Sequence, residues 1–206
     1  MQDHCGDTLL PALLDHLKLT MIAVAIGFVL AFAAALLANR YKPLDQPIGL
    51  FSDFLYTIPS LALFQLLVPI TGLTVTTVEV ALVSYTLLIL YRNILEGLRG
   101  VPADVKEAAG GMGLTQFQTL LRIDLPLATP AIVAGLRIAT VSTISIATVA
   151  AFVIPEGLGR PIFIGISQDV FKTEIIAAGG LAILLALAAD ALLVLLGRAL
   201  TPWRNA

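Results

Sequence analysis

Long uncharged stretches constrain this chain more than any other feature of its sequence. Residues 19–38 contain no charge, and neither does the longer stretch 54–78, which Pro59, Pro69 and Gly72 interrupt. A helix needs about 20 apolar residues to cross the roughly 30 Å of hydrocarbon in a bilayer. Only 13% of the residues are Asp, Glu, Lys or Arg, about half of the roughly 25% found in soluble domains. The chain is therefore predicted to be an all-α integral membrane protein, with its 206 residues forming a single domain.

Five membrane-spanning helices account for these stretches. They are predicted at residues 17–38, 48–70, 77–97, 127–152 and 174–197. Loops on the cytoplasmic side of a membrane are enriched in Lys and Arg. With the N-terminus outside, the basic residues divide into an inner set (Arg40, Lys42, Arg92, Arg99, Lys106, Arg122, Arg198 and Arg204) and a smaller outer set (Lys18, Arg160 and Lys172). The N-terminus is therefore predicted outside and the C-terminus inside.

The remaining composition argues against several kinds of site. Cys5 is the only cysteine, so no internal disulfide can form, and no group of Cys and His has the spacing of a metal site. The net charge of −2 and the scattered basic residues argue against a nucleic-acid partner. His4 and His16, near the outer end of the first span, are expected to be solvated. Asp53 and Glu79 are expected at the membrane–water interface.

Residues 100–126, between the third and fourth spans, have the chemistry of two short helices joined by a turn, and we call them the elbow. Asp104 is expected to cap the first helix, where a side-chain oxygen can accept from free backbone N–H groups. Gly110, Gly111 and Gly113 are expected to end it, because glycine adopts the left-handed conformation that a helix stop requires. The first half of the elbow is therefore predicted as a short helix followed by a glycine turn.

A second short helix is predicted in the rest of the elbow. Thr115 and Gln118 have the three-residue spacing of a capping box, and Pro126 is expected to block continuation of the helix. One face of this helix carries an apolar ridge, which comprises Phe117, Leu120 and Leu121. The elbow could be an interfacial amphipathic hairpin packed on the protein's own spans, or a knob that docks into a partner protein. Periodicity alone leaves both interpretations open.

The elbow also contains a pattern with the spacing E-A-A-x3-G-x9-I-x-L-P, matched at every fixed position. Its residues are Glu107, Ala108, Ala109, Gly113, Ile123, Leu125 and Pro126. This pattern resembles the EAA loop of ABC importer permeases. Five spans with the N-terminus outside and the pattern between the third and fourth spans are also similar to the small type I permeases of that family.

The resemblance implies a translocation subunit rather than an enzyme. In that family the elbow sits in a cleft of a cytoplasmic ATPase subunit, with Glu107 and Gly113 as coupling positions and Ala108 and Ala109 allowing close approach. ATP and magnesium would be held by the ATPase, since this chain has no G-x-x-x-x-G-K-[ST] phosphate loop, and no cofactor is expected here. The implied assembly has two ATPases, a second permease, identical or paralogous, and an extracytoplasmic binding protein, in the lipid of a bacterial cytoplasmic membrane.

A second, narrower resemblance concerns the solute. Residues 56–64, Tyr-Thr-Ile-Pro-Ser-Leu-Ala-Leu-Phe, followed by Val-Pro-Ile-Thr-Gly at 68–72, resemble the second span of permeases for glycine betaine, choline and carnitine. Residues 151–159 are similar to the loop after their fourth span, although Ile-Pro-Glu at 154–156 replaces part of its usual glycine-rich run. The implied solutes are quaternary ammonium osmoprotectants. Related permeases for methionine or other small solutes share the general pattern.

Residues that could line a passage are Tyr56, Pro59, Phe64, Tyr85 and Phe152. Aromatic faces hold methylammonium groups, and a proline-bent span frees carbonyls that can line a path. Aromatic residues in membrane helices also serve as packing or interface anchors. Arg137 and Asp190 fall at similar depths in the last two spans, so they could form an ion pair, either as an internal staple or as a contact for substrate.

The extracytoplasmic connection 154–173 is glycine-rich and carries Arg160, Asp169 and Lys172. It is expected to form a short surface helix that closes the passage or meets the binding protein.

Two other classes of membrane protein remain as alternatives. A secondary transporter or channel would need internal symmetry or a selectivity filter. A lipid-modifying enzyme would need paired carboxylates for a metal or a nucleophile with its base. The sequence contains no visible example of any of these features.

Overall fold

All regular structure in the described chain is helical. The computed structural model describes residues 4–167 and 172–202, with side chains from Leu9 onward. The side chains of His4 and Cys5, and residue Asp169, therefore lie outside the described part. The helices are α1 (His4–Arg40), α2 (Asp45–Thr57), α3 (Ser60–Thr71), α4 (Val75–Arg99), α5 (Ala103–Gly111), α6 (Gln116–Thr119), α7 (Leu125–Ala147), α8 (Gly159–Ser167) and α9 (Lys172–Leu200). Single 3-10 turns occupy Lys42–Leu44 and Thr148–Phe152, and a π-helical turn occupies Leu120–Asp124.

Within these described ranges, four continuous helical stretches are long and apolar enough to cross a membrane. They are Leu9–Arg40, Val75–Arg99, Gln116–Phe152 and Lys172–Leu200. They contain the first, third, fourth and fifth predicted spans, with each helix extending beyond the predicted bounds. The prediction of an all-α membrane protein is confirmed.

The second predicted span, 48–70, is divided into two helices at Pro59, where a bend was expected. α2 and α3 together pass the same test, but they are bent by 99° at the break between them. Ile58 is extended, with φ −68° and ψ 127°, and Pro59 follows it. Proline disfavours the α conformation in the residue before it and cannot donate a backbone hydrogen bond. The bend follows from this pair of residues.

α4 is the central helix of the bundle and packs against α1, α7, α2 and α3. Its buried residues run along its whole length, from Thr77 to Leu98. Two apolar clusters form around it. One gathers Leu19, Phe64, Leu82 and Tyr85 with the end of α7, and the other gathers Leu90, Tyr91, Ile94 and Ala139 nearer the elbow.

Small residues bring α1 close to α4. Ala23, Gly27, Ala31 and Ala35 recur every four residues on one face of α1, and all four are buried. A Cβ atom added at Gly27 would lie 1.8 Å from the Oγ1 atom of Thr86 on α4. Membrane helices associate through such stripes, because small side chains let backbones approach and gain dispersion contacts. The α1–α4 contact therefore depends on Gly27.

α9 lies at the edge of the bundle, against α7 and α8. Ala178 and Ala182 are its buried residues, and its other faces carry exposed isoleucine and leucine side chains. In a membrane, such a helix must be covered by lipid or by another subunit.

The second helix of the elbow does not stop at Pro126. α6, the π-helical turn and α7 are continuous, and the N–H of Leu125 donates to the carbonyl of Leu120, five residues back. A proline in an α-helix removes one hydrogen bond and its ring clashes with the carbonyl four residues earlier. The wider π turn absorbs this conflict, so the elbow leads directly into α7 and the expected interruption is wrong.

Candidate functional site

The first helix of the elbow, α5, starts differently from the prediction. Its N-cap residue is Pro102, with no side-chain cap, and Asp104 lies inside the first turn. Because Asp104 has a helical backbone it cannot act as the cap, although its charge still favours the positive end of the helix dipole. The expected capping role of Asp104 is therefore wrong.

The turn after α5 contains a glycine that the backbone requires. α5 ends at Gly111, and Gly113 has φ +79°, in the left-handed region. The N–H of Gly113 donates to the carbonyl of Gly110 at 2.9 Å. A side chain in this conformation costs about 1–2 kcal/mol. The predicted helix-ending role of Gly113 is confirmed.

The predicted capping box of the second helix is also present. The Thr115 hydroxyl accepts from the Gln118 N–H at 3.3 Å, and the Gln118 side chain accepts from the Thr115 N–H at 2.8 Å. Both bonds satisfy N–H groups that would otherwise have no partner at the start of α6.

The elbow presents an outward surface of mixed character. Glu107, Ala108, Gly113, Phe117 and Leu121 are exposed, and Met112, between them, has 71% of its surface exposed. The other predicted coupling residues point inward to differing degrees. Ala109 is fully buried, Leu120 and Leu125 pack on the second apolar cluster, and Ile123 and Pro126 are half-buried. Leu120 thus lies apart from Phe117 and Leu121, so the outward ridge has two residues instead of three.

The bend between α2 and α3 is closed by a tyrosine from α4. The Tyr85 hydroxyl donates to the Ile58 carbonyl, and the Tyr56 ring meets the Tyr85 ring edge-on, with centroids 5.9 Å apart. In a membrane, a carbonyl freed by a helix break needs such an internal partner. Tyr85 itself is only 5% exposed, which gives it a structural position beneath the bend.

The other residues predicted to line a passage separate into two groups. Tyr56, Pro59 and Phe152 are exposed, and Phe152 stacks edge-on with Phe163 of α8. Phe64 is fully buried in the first apolar cluster. Phe64 therefore packs the core of the described subunit and does not reach its surface.

Two ion pairs tie α2 to α4. The Arg92 Nη2 atom lies 2.9 Å from the Asp53 Oδ2 atom, and the Arg99 Nη1 atom lies 2.5 Å from the Asp45 Oδ2 atom. The Tyr91 hydroxyl also donates to Asp45 at 2.8 Å. These contacts place the polar side of α2 against α4, so its apolar side, with Leu50, Phe51 and Phe54, faces outward. The sequence offered no local signal for this pairing, because the partners are far apart along the chain.

Arg137 on α7 and Asp190 on α9 lie in direct contact. The Nε and Nη2 atoms of Arg137 donate to the two carboxylate oxygens of Asp190 at 2.8 and 3.0 Å. The pair lies in a groove of about 650 Å³ between the two helices, whose other walls include Ile138, Ser142 and Leu187. Both side chains remain more than a third exposed, at 40% and 34%.

His16 is fully buried, so the expectation of a solvated imidazole is wrong. Its Nδ1 atom accepts from the Leu158 N–H at 3.2 Å and its Nε2 atom lies 2.9 Å from the Ile144 carbonyl. These partners define the neutral tautomer with the proton on Nε2. A Cβ atom at Gly157, which has φ +75°, would lie 3.1 Å from Nδ1. His16 thus fastens α1 to the end of α7 and to the loop that follows it.

The predicted helix in the connection 154–173 is present as α8. A cleft of about 300 Å³ beside it is lined by α1, the loop after α7, α8 and α9, and includes Asp15, Arg160 and Glu174.

Elsewhere, both carboxylate oxygens of Glu79 are enclosed and have no hydrogen-bond partner among the described residues. The described part of the chain contains no group of three His, Cys, Asp or Glu residues that could hold a metal ion.

A family model covers nearly the whole chain. Residues 9–202 match the family described as "Binding-protein-dependent transport system inner membrane component". The matched region contains the elbow, the bent second span and the Arg137–Asp190 pair.

Relatives of similar length extend this match. The choline transport system permease protein OpuBB of Bacillus subtilis is 34% identical, over 96% of this chain and 90% of the relative. The glycine betaine/carnitine/choline transport system permease protein OpuCB of the same organism is 33% identical, over 91% of this chain and 86% of the relative. The osmoprotectant import permease protein OsmW of Salmonella typhimurium is 36% identical, over 91% of this chain and 89% of the relative.

The fold is also similar to that of solved transporters. A chain of the MetNI methionine ABC transporter, crystallised in inward-facing conformations, superposes with a TM-score of 0.85 at 21% identity, over 98% of this chain and all of that chain. At that identity the likeness concerns the fold alone. Together with the family match, it shows that this chain belongs to the inner membrane components of binding-protein-dependent transport systems, the permease subunits of ABC importers.

Proposed function

We propose that this permease moves quaternary ammonium osmoprotectants, of the glycine betaine, choline and carnitine class, into a bacterial cell across its inner membrane. The observation that supports this solute class is the identity of 33–36% to permeases named for these compounds, over more than nine-tenths of the chain. The sequence around the bent second span, from Tyr56 to Phe64, lies within that match and resembles the same group.

The proposed orientation places the N-terminus outside and the elbow in the cytoplasm, in keeping with the excess of Lys and Arg on that side. There the outward surface of the elbow docks in a cleft of a separate ATPase subunit. Ala108 and the glycines beside it leave space for the partner backbone, since a Cβ atom at Gly110, Gly111 or Gly113 would meet nothing within 4 Å. Phe117 and Leu121 supply apolar contact.

ATP and magnesium bind to the two ATPase subunits, and this chain supplies no hydrolytic group. When ATP draws the two ATPases together, the elbows of the two permeases approach each other. α4, which precedes the elbow, and α7, which follows it, then rock from an inward-facing to an outward-facing arrangement. An extracytoplasmic binding protein delivers the solute at the opposite end of the bundle, where α8 lies.

A second permease subunit, a copy of this chain or a paralogue, is proposed against the groove between α7 and α9. The support is the partly exposed Arg137–Asp190 pair, which lies along two helices that can span a membrane. Charged groups are costly in hydrocarbon and normally face protein or a water-filled cavity. A second subunit enclosing an aqueous passage would supply that environment.

The solute class is tested with the assembled transporter in nanodiscs. The chain is expressed with the ATPase, permease and binding protein encoded beside it, and ATPase activity is measured with glycine betaine, choline, carnitine or methionine. Stimulation by a quaternary amine is expected. Stimulation by methionine alone would contradict the proposed solute class. Failure of any ATPase to copurify would contradict the proposed coupling.

The coupling role of the elbow has a matched pair of variants. Gly113→Ala strains a left-handed backbone, whereas Gly180→Ala changes a helical glycine of α9 outside the elbow, and both positions have open space around them. The transporter with Gly113→Ala is expected to hydrolyse ATP without solute uptake, and the transporter with Gly180→Ala to remain coupled. Glu107→Lys, which reverses a charge on the docking surface, is expected to behave like Gly113→Ala. Normal uptake by Gly113→Ala and Glu107→Lys would contradict the coupling role.

A further inference from the structure

Lys106, one residue before the exposed Glu107, points in the opposite direction. Its Nζ atom lies 3.5 Å from the Oδ1 atom of Asp124 in the π-helical turn. It also donates to the carbonyl of Leu98, in the last turn of α4, at 3.2 Å. One ammonium group therefore joins α5 to the end of α4 and to the π-helical turn that leads into α7. Asp124 lies at a variable position of the elbow pattern, and Lys106 lies one residue before its first fixed position.

The Lys106 ammonium group stabilises both of its partners, the Asp124 carboxylate and the Leu98 carbonyl. Asp124 is only 7% exposed, and its Oδ1 atom is enclosed and has no hydrogen-bond donor in the described chain. A buried carboxylate that loses its counter-charge is strongly destabilised. The Leu98 carbonyl is among the last four of α4, which have no partner inside the helix. A cation at this end also interacts favourably with the helix dipole.

α5 has little else to hold it. Within the described residues, Lys106 is the only side chain of α5 that forms a hydrogen bond or an ion pair with the bundle. Ala109 adds a small buried contact. The outward side of α5 is part of the surface that docks on the ATPase in the proposed function. Beyond the chain itself, the described polar side-chain contacts that join α5 to α4 and to the π-helical turn before α7 are therefore those of the Lys106 ammonium group.

We infer that Lys106 is a positioning residue, which makes the elbow move as one body with the ends of α4 and α7 during transport. The inference rests on the proposed coupling of the elbow to an ATPase. With Lys106 in place, movement of the docked elbow shifts both long helices. Without it, α5 follows the ATPase without drawing the end of α4 and the π-helical turn along with it, so hydrolysis continues without a matching movement of the passage.

The test compares Lys106→Met with Lys106→Arg in the full transporter. Lys106→Met is expected to assemble with the ATPase, but solute moved per ATP hydrolysed should fall about five- to tenfold, within the usual range of coupling between sites. Lys106→Arg keeps the charge and is expected to retain most of the coupling. Lys42→Met, at another lysine near the same end of the bundle, is the control and should match the wild type. Wild-type coupling in Lys106→Met would overturn the inference.

A second variant separates positioning from stability. Lys106→Met with Asp124→Asn removes the cation and the buried charge together, so the subunit should fold and assemble even where Lys106→Met does not. This double variant is still expected to be uncoupled, because the tie between the helices is absent. Recovery of coupling in the double variant would show that Lys106 only neutralises Asp124. Failure of the wild-type chain to bind any ATPase would instead contradict the proposed function itself.

Discussion

Arg137 and Asp190 meet side-on, with two nearly parallel hydrogen bonds of 2.8 and 3.0 Å between the guanidinium and the carboxylate. This two-point geometry fixes the rotation of α7 relative to α9 more strictly than a single contact could. The buried residues described in α9, Ala178 and Ala182, lie nearer its start. The pair therefore helps to hold the second half of α9 against α7, together with the close approach of Gly197 to Val133.

Removing one member of this pair should be worse than removing both. Arg137→Ala leaves Asp190 with no cation inside the groove, whereas Arg137→Ala with Asp190→Ala leaves an apolar gap. We expect the yield of monodisperse subunit, measured by fluorescence-detected gel filtration, to be lower for the single variant. A double variant as poor as the worse single variant would argue that the pair has no stabilising role.

Loss of the Tyr85 hydroxyl should weaken the bent second span. Tyr85→Phe keeps the ring but leaves the Ile58 carbonyl without its donor. A buried acceptor left unpaired costs about 1–3 kcal/mol. We expect a lower thermal unfolding temperature in detergent micelles. Tyr56→Phe is the control, because the Tyr56 hydroxyl makes no hydrogen bond among the described residues and its ring is retained. Equal effects of the two changes would contradict the role of Tyr85.

His16→Leu should loosen the loop after α7. Two backbone groups, the Leu158 N–H and the Ile144 carbonyl, lose their partner at once, at about 1–3 kcal/mol for each buried group left unpaired. We expect faster hydrogen exchange at residues 153–158 and lower thermal stability. Leu17→Ala, at the neighbouring and more exposed position, should change neither. Unchanged exchange in His16→Leu would mean that the loop is held by other contacts.

Gly27→Ala should push α1 away from α4. The new methyl group would overlap the Oγ1 atom of Thr86, at 1.8 Å, and overpacking of this kind costs about 1–3 kcal/mol. Adding Thr86→Ala removes that oxygen and should recover part of the lost stability in thermal unfolding. Gly180→Ala on α9, where a Cβ atom meets nothing within 4 Å of the described chain, is the control. If the double variant Gly27→Ala with Thr86→Ala recovers no thermal stability, the strain does not arise from contact with the Thr86 side chain.

Hydropathy and local spacing predicted most of the architecture. Four spans were predicted as single helices because an uncharged run of about 20 residues has few alternatives in a membrane. The capping box at Thr115 and Gln118 and the left-handed Gly113 were also predictable, since each depends on residues within one turn. The Ala23, Gly27, Ala31 and Ala35 stripe was visible in the sequence and would have indicated the face of α1 that meets α4.

Several of the errors concern interactions between distant residues, and others, at Asp104 and Pro126, concern the local choice between helix geometries. Nothing near His16 indicates that Ile144 and Leu158 will surround it. Pro59 predicted a bend, but the 99° angle depends on how α2 and α3 each pack on α4. Pro126 predicted a helix stop, but a π turn was the alternative that keeps the helix continuous. Lys106 and Asp124 are each ordinary charged residues in sequence, and only the fold brings them together.

The π-helical turn at Leu120–Asp124 sets the angular phase between the elbow and α7. A π turn holds one residue more than the α-helical turn it replaces, and one residue corresponds to about 100° of rotation in a helix. Deleting a single residue there would turn Phe117 and the docking surface by that angle about the α7 axis, with every side chain of the surface intact. The length of this short segment, as much as its composition, decides which way the elbow faces.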